Sequence, residues 1–203
     1  MLPENKRILL LSPYVLDGGG AIKSVLSTLE RHGHSVASMQ GPVTYDIVAD
    51  YEPLFILSYG YRHKIPQEVW ASFNTANLHI SALPWNRGAD PNLWSWIDDT
   101  PKGVTLHWVD GGWDTGPIIA SWHVPMQPET DTLETSYTRL HEWAADLLET
   151  YLGSILQDWP MGDRQRPGAG SFHYAQDRSK VEHLLTAGWE TPVRDLIGKG
   201  RGL

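Results

Sequence analysis

The sequence contains no cysteine, which excludes disulfides, thiolate zinc sites and a cysteine nucleophile. Long hydrophobic runs are missing as well. The longest, residues 8–11 and 54–57, are strand-length, far short of the roughly 20 residues a membrane helix needs, so no membrane partner is expected. The segment from Met1 to Arg7 has no apolar stretch followed by a small-residue cleavage site; no secretory signal is expected, and the cytoplasm is the expected location. Positive charge is scarce. With 16 Lys+Arg against 24 Asp+Glu the formal net charge is −8, which argues against a phosphate-backbone partner, so no nucleic acid is expected. The acid lies mainly in residues 1–159, and the tail is nearly balanced, so it does not read as a basic arm.

What is present suits one substantial core: 203 residues, 41% hydrophobic and 20% charged, the balance of a globular protein. Ten tryptophans are many for this length. Trp85, Trp94, Trp96, Trp108, Trp113 and Trp122 cluster in the middle of the chain. Core packing and interface area are the first reading of them, and a wall for a flat heterocycle is the second.

Residues 7–12 read as a short buried strand ending at Pro13, and Gly18, Gly19 and Gly20 as a turn. A helix is expected over 21–31, with Ile22, Val25, Leu26 and Leu29 on one face. Strands are expected at 34–38, 54–58 and 76–80, a helical turn or connector at 46–49, and a helix over 66–73 opened by Pro66. This alternation predicts an α/β fold with a Rossmann-like, doubly wound, mostly parallel sheet. In the second half, 104–109 and 118–124 read as strands around a Gly-rich loop at 110–117. Residues 132–156 read as a long helix whose apolar face carries Leu133, Tyr137, Leu140, Trp143, Ala144, Leu147, Leu148 and Tyr151. The Arg-, Pro- and Gly-rich stretch 162–170 reads as a linker or hairpin turn, 171–174 as a short strand and 178–185 as a helix. The expected organisation is a catalytic domain over 1–158 and a small C-terminal appendage over 159–203, a hairpin plus a helix.

Asn77, His79 and Asp114 lie beside Pro and Gly residues that shape the backbone, a combination that suits acyl transfer. When an amine attacks a carbonyl, a donor must meet the oxyanion and a base must take the amine proton. Asn77 and His79, two apart on a strand, leave the same face. Asn donates without changing protonation, His moves protons near neutral pH, and an Asp can orient the imidazole. Singly, each also fits a satisfied polar group or a turn. His107 and His123 lack a His-Glu-x-x-His spacing, so no metal is expected, and Ser81 has no Gly-x-Ser-x-Gly elbow.

The string Asn77-x-His79-x-Ser81-x-Leu83-Pro84, followed by Gly103, Val104, Thr105 and then Asp114, Thr115, Gly116, resembles the N10-formyltetrahydrofolate-dependent formyltransferases. That family includes glycinamide ribonucleotide, methionyl-tRNA and sugar N-formyltransferases and the formylation domains of peptide synthetases. The resemblance runs over residues 54–124, and its motifs are nearest to the sugar and peptide-synthetase groups. It implies that Asn77, His79 and Asp114 are catalytic and that N10-formyltetrahydrofolate is the co-substrate. It also implies that Ser58, Tyr59, Gly60, Tyr61 and Arg62, with Leu83, Asp110, Gly111 and Trp113, hold the folate, and that Trp85, Asn86, Arg87 and Gly88 meet the acceptor. Ile80 and Ala82 replace the family's usual Pro and Leu, and Trp113 stands where Leu is usual before the Asp.

The acceptor expected from this resemblance is a primary amine on a nucleotide-linked amino sugar, whose phosphates or base Arg164, Arg166 and His173 would approach. An aminoacyl, peptidyl or other small amine is the alternative, followed by a non-catalytic folate binder. Gly18 to Gly20 reads either as a phosphate loop or as a plain turn. A homodimer is expected to pack through exposed tryptophans of the C-terminal half or through Trp143 and Trp159 around the long helix, and the same residues fit equally inside a monomer.

Overall fold

The computed structural model describes residues 6–13 and 21–200. The Gly18 to Gly20 turn and the Ile22 side chain lie outside the described residues. In chain order the elements are β1 (Arg7–Leu11), α1 (Ala21–Arg31), β2 (Ser35–Met39), α2 (Tyr45–Tyr51), β3 (Phe55–Tyr59), α3 (Gln67–Trp70), β4 (Thr75–His79) and β5 (Arg87–Gly88). They continue with α4 (Pro91–Ile97), β6 (Gly103–Trp108), β7 (Ile118–His123), α5 (Leu133–Asp158) and β8 (Phe172–His173).

Among the described residues the main sheet runs β2-β1-β3-β4-β6-β7. The first four strands are parallel, and β6 and β7 are antiparallel. The fold is the Rossmann-like α/β arrangement that the alternation of elements predicts. Burial on both faces explains the unbroken apolar runs of β1 and β3. Ile8, Leu10, Phe55 and Leu57 pack with Val25, Leu29 and the α5 residues Leu140, Leu147 and Leu148. Leu9, Leu11 and Ile56 pack on the other side with Val43, Val48 and Val69. At the start of α5, a reciprocal pair of bonds between Thr132 and Thr135 caps the helix: Thr135 N donates to Thr132 Oγ1 (3.2 Å), and Thr132 N to Thr135 Oγ1 (2.9 Å).

Two parts differ from expectation. Helix α4 is absent from the sequence reading because Leu93, Trp94, Trp96 and Ile97 are all buried, which leaves no amphipathic period to detect. They form a second core with Leu133, Val181, Val193 and Leu196. Among the described residues the tail forms neither the expected hairpin nor an α-helix. It holds 3-10 turns at Ala175–Lys180, Glu182–Leu184, Gly188–Glu190 and Val193–Asp195, and β8 pairs with β5 far back in the chain. Isolated anchors such as Val181 and Val193 hold these turns, so no helical stripe is needed. Among the described residues no helix is long and apolar enough to cross a membrane.

Candidate active site

The antiparallel step from β4 to β6 builds the site. Its register sets His107 opposite Asn77 and Thr105 opposite His79. Asp114 arrives on the loop between β6 and β7 with φ 54, a left-handed conformation that Asp tolerates better than most residues. Asp110 shapes that loop from within: its Oδ1 accepts from Gly112 N at 2.9 Å and from Thr115 Oγ1 at 2.6 Å. Gly116 allows the chain to fold back, since a Cβ there would stand 1.8 Å from the Trp108 carbonyl oxygen.

The Asp114 carboxylate is surrounded. Asn77 Nδ2 donates to Oδ1 and Gly88 N to Oδ2, both at 2.8 Å. His79 Nδ1 stands 3.7 Å from Oδ2 and His107 Nε2 3.4 Å from Oδ1. Burial works to raise the carboxyl's pKa, but His79, His107 and the Gly88 amide outweigh it and hold the group well below the ordinary carboxylate range. Carbonyl oxygens only accept, and this assigns the imidazole protons. His79 Nε2 donates to the Asn86 carbonyl at 2.9 Å, which leaves Nδ1 as the nitrogen that gains and loses a proton. His107 Nδ1 donates to the Trp108 carbonyl at 2.8 Å, so neutral His107 accepts at Nε2 from Asn77 Nδ2 at 3.2 Å. Protonated, His107 would turn instead to Asp114. Both N–H bonds of the Asn77 amide are thus committed within the protein.

A cavity of about 800 Å³ spans the C-terminal ends of β3 and β4 and takes in residues from both faces of the sheet. Ser58, Tyr59, Gly60, Tyr61, Arg62, Asp110 and Trp113 line it together with Asn77, His79, Gly88 and Asp114. Leu83, Trp85, Asn86, Arg87 and Gly111 lie outside its lining. The physical reason is that neighbouring protein has already taken up several of these groups. Asn86 is wholly buried, its Nδ2 donating to Thr100 Oγ1 at 2.8 Å and its N to Ser171 Oγ at 2.9 Å. Arg87 donates to Gln165, and Leu83 N to Thr105 Oγ1 at 3.2 Å. Arg164 and Arg166 are also outside the lining, whereas His173 is in it, stacked on Trp94 at 3.9 Å and bonded to Asp98 at 2.8 Å.

Several lining residues went unsuspected in the sequence. His107 was traceable only through the strand register. Tyr137, His141, Arg178 and Trp189 also line the cavity, with the Tyr137 ring 4.1 Å from His141 and 5.2 Å from Trp189. There the Tyr59 hydroxyl bonds His141 Nδ1, while His141 Nε2 has no hydrogen-bond partner among the described residues. Burial alone pushes the His141 imidazole down to about 4. Of the six central tryptophans Trp113 lines the cavity, while Trp94 and Trp96 are core; Trp108 packs on Phe55 and Trp159, and Trp122 on Trp143 and Tyr151. Among the described residues no group of three or more His, Asp or Glu is placed to hold a metal ion.

Comparison with known proteins gives this geometry a context. A family model described as formyl transferase matches residues 22–152, well over half of the chain. A methionyl-tRNA formyltransferase from Halothermothrix orenii is 32% identical over 157 residues, 76% of this chain and 48% of its own. One from Paraburkholderia phymatum is 30% identical over 86% of this chain and 52% of its own, so the chain spans about half the length of the curated relatives it matches. Among solved structures it is similar to the formyltransferase PseJ from Anoxybacillus kamchatkensis in complex with UDP-4,6-dideoxy-4-formamido-L-AltNAc and tetrahydrofolate. That similarity has a TM-score of 0.84 and 40% identity, covering 96% of this chain and 99% of that one. A sugar N-formyltransferase from Shewanella sp. shares the fold at 18% identity and a TM-score of 0.75, covering 95% of this chain and 87% of that one.

Proposed function

This chain belongs to the formyl transferase family, and from that premise we propose that it moves the formyl group of N10-formyltetrahydrofolate to a primary amine on a nucleotide-linked amino sugar. One observation carries the acceptor: the 40% identity that runs nearly end to end with a protein solved with both a formamido sugar nucleotide and tetrahydrofolate. The cavity suits two such ligands. Its lining combines Ser58 to Arg62 and Trp113 with Tyr137 and Trp189, and it includes Asn77, His79 and Asp114.

When bound, N10-formyltetrahydrofolate supplies the activated formyl carbon. The protein supplies position and protons. His79 Nδ1 takes up the proton that the acceptor amine loses as it bonds to the formyl carbon, and holds it beside the ionised Asp114. It delivers that proton to the departing N10 as the bond from N10 to the formyl carbon breaks. Asn77 provides an N–H to developing negative charge, and the longer bond to His107 is the one it gives up to do so. Ser58 through Arg62, with Asp110 and Trp113, hold the folate on this reading, and Gly88 and its neighbours face the amine.

A methionyl-tRNA acceptor is the second reading, favoured by the 32% and 30% identities and opposed by the net charge of −8. The test is an absorbance assay for loss of N10-formyltetrahydrofolate against TDP- and UDP-linked amino sugars, glycinamide ribonucleotide, an aminoacyl carrier protein and methionyl-tRNA. Turnover with a nucleotide sugar, abolished in His79→Ala, is expected. Turnover with methionyl-tRNA alone would replace the sugar reading. No turnover despite folate binding by calorimetry would make the protein a folate binder.

A further inference from the structure

Gln165 lies between α5 and β8 in the irregular stretch that the chemistry above does not use. Its side chain is fully engaged. Nε2 donates to the Asp114 carbonyl at 2.8 Å and to the Gly116 carbonyl at 2.9 Å. Oε1 accepts from Arg87 Nε at 3.0 Å and Nη2 at 2.7 Å. Chemistry sets the amide's orientation, because a guanidinium can only donate and a backbone carbonyl can only accept.

The Asp114 carboxylate and the Thr115 hydroxyl anchor the loop through side chains, but its backbone has few bonds of its own. Among the described residues, the backbone of 111–116 makes one bond to Asp110 and the two to Gln165. Arg87, on the other side of Gln165, immediately precedes Gly88, whose N–H donates to Asp114 Oδ2 at 2.8 Å. Gly88 has φ +84, and a Cβ there would stand 2.3 Å from the His173 carbonyl oxygen, so β5 is pressed tightly against β8. One carboxamide therefore joins the backbone of Asp114 to the strand whose amide receives its carboxylate.

We propose that Gln165 is a positioning residue for Asp114, tethering the 110–117 loop to β5. The tether stands on geometry alone; its effect on turnover rests on the formyl-transfer reading. Two shape-conserving variants separate its roles. Gln165→Met keeps the bulk and removes every bond, whereas Gln165→Glu keeps an acceptor for Arg87 and turns the donor into a second acceptor facing two carbonyls. In both, amide hydrogen exchange at Gly88 and Gly112, whose N–H groups are bonded to Asp114 and Asp110, should rise about tenfold or more with the melting temperature nearly unchanged. In both, kcat should fall about 10- to 100-fold, the scale of a small misplacement of a catalytic group, with both KM values within about threefold. Unchanged exchange in both variants would overturn the tether. Faster exchange with normal kcat, or raised KM with normal kcat, would overturn the positioning role. Faster exchange in the variants, with no formyl transfer by the unaltered protein to any amine, would uphold the tether and count against the reaction instead.

Discussion

Two regions of this molecule are built by opposite means. Around β1, β3 and α5 the side chains pack on one another and the backbone bonds to itself, with Ile8, Leu10, Phe55, Leu57 and Leu147 wholly buried. Around the 84–90 and 110–117 loops the side chains bond to backbone instead. Asp110 holds Gly112, Asp114 accepts from Gly88, Ser81 donates to the Trp85 carbonyl, and Gln165 donates to Asp114 and Gly116. Left-handed backbone is frequent in these loops: among the described residues, three of the six non-glycine residues with positive φ, Asn86, Asp90 and Asp114, lie there. The first region stores stability, and the second stores geometry at some cost in strain. Changes in the first should lower the folded population and leave the folded molecules active, while changes in the second should do the reverse.

The largest test of that contrast is Leu147→Ala in the packed region. It should cost about 2–5 kcal/mol in urea unfolding, with kcat per folded molecule unchanged within about twofold. A large fall in kcat at unchanged stability would show that the packed region also sets the site's geometry. Next comes Asn77→Ala. Loss of an oxyanion donor should lower kcat about 100- to 1000-fold while the melting temperature stays close to that of the unaltered protein. Near-normal turnover would remove Asn77 from the chemistry.

A smaller effect comes from pH. His141, held near 4 by burial, is neutral in the folded protein across a range where an unfolded chain with a pKa of about 6.5 binds a proton. The unfolded state therefore gains protons between these values, and stability should fall as pH drops from about 6.5 to 4, by on the order of 3 kcal/mol. Asp114 acts elsewhere on the scale. Its depressed pKa contributes stability that is present above the unfolded carboxylate value of about 3.9 and is lost only in stronger acid. Denaturant melts at pH 7 and pH 4.5, with and without His141→Asn, measure this. An equal pH dependence in the variant would place the acid sensitivity in another group.

Much of the packed region was legible in the sequence. Strands β1 and β3 lie within a residue of where their apolar runs place them, and α1 spans the residues its periodicity marks. The site was legible in part. Two-residue spacing puts Asn77 and His79 on one side of β4, and the structure brings Asp114 to both. His107 could not be seen, because its link to Asn77 exists only in the antiparallel register of β4 and β6. Nor could the fate of Arg87, which resembles a substrate ligand in sequence and spends its guanidinium on a residue 78 positions later.

By itself, the sequence determined the alternation of strands and helices, the faces that bury, and the order in which amide, imidazole and carboxylate arrive. Periodicity and turn chemistry are local properties, so they are written in neighbouring residues. Only the tertiary structure decided which polar groups line the cavity and which are consumed by the protein. A hydrogen-bond partner is a matter of proximity in space, and here the tail returns across 51 residues to hold the Asp114 carbonyl.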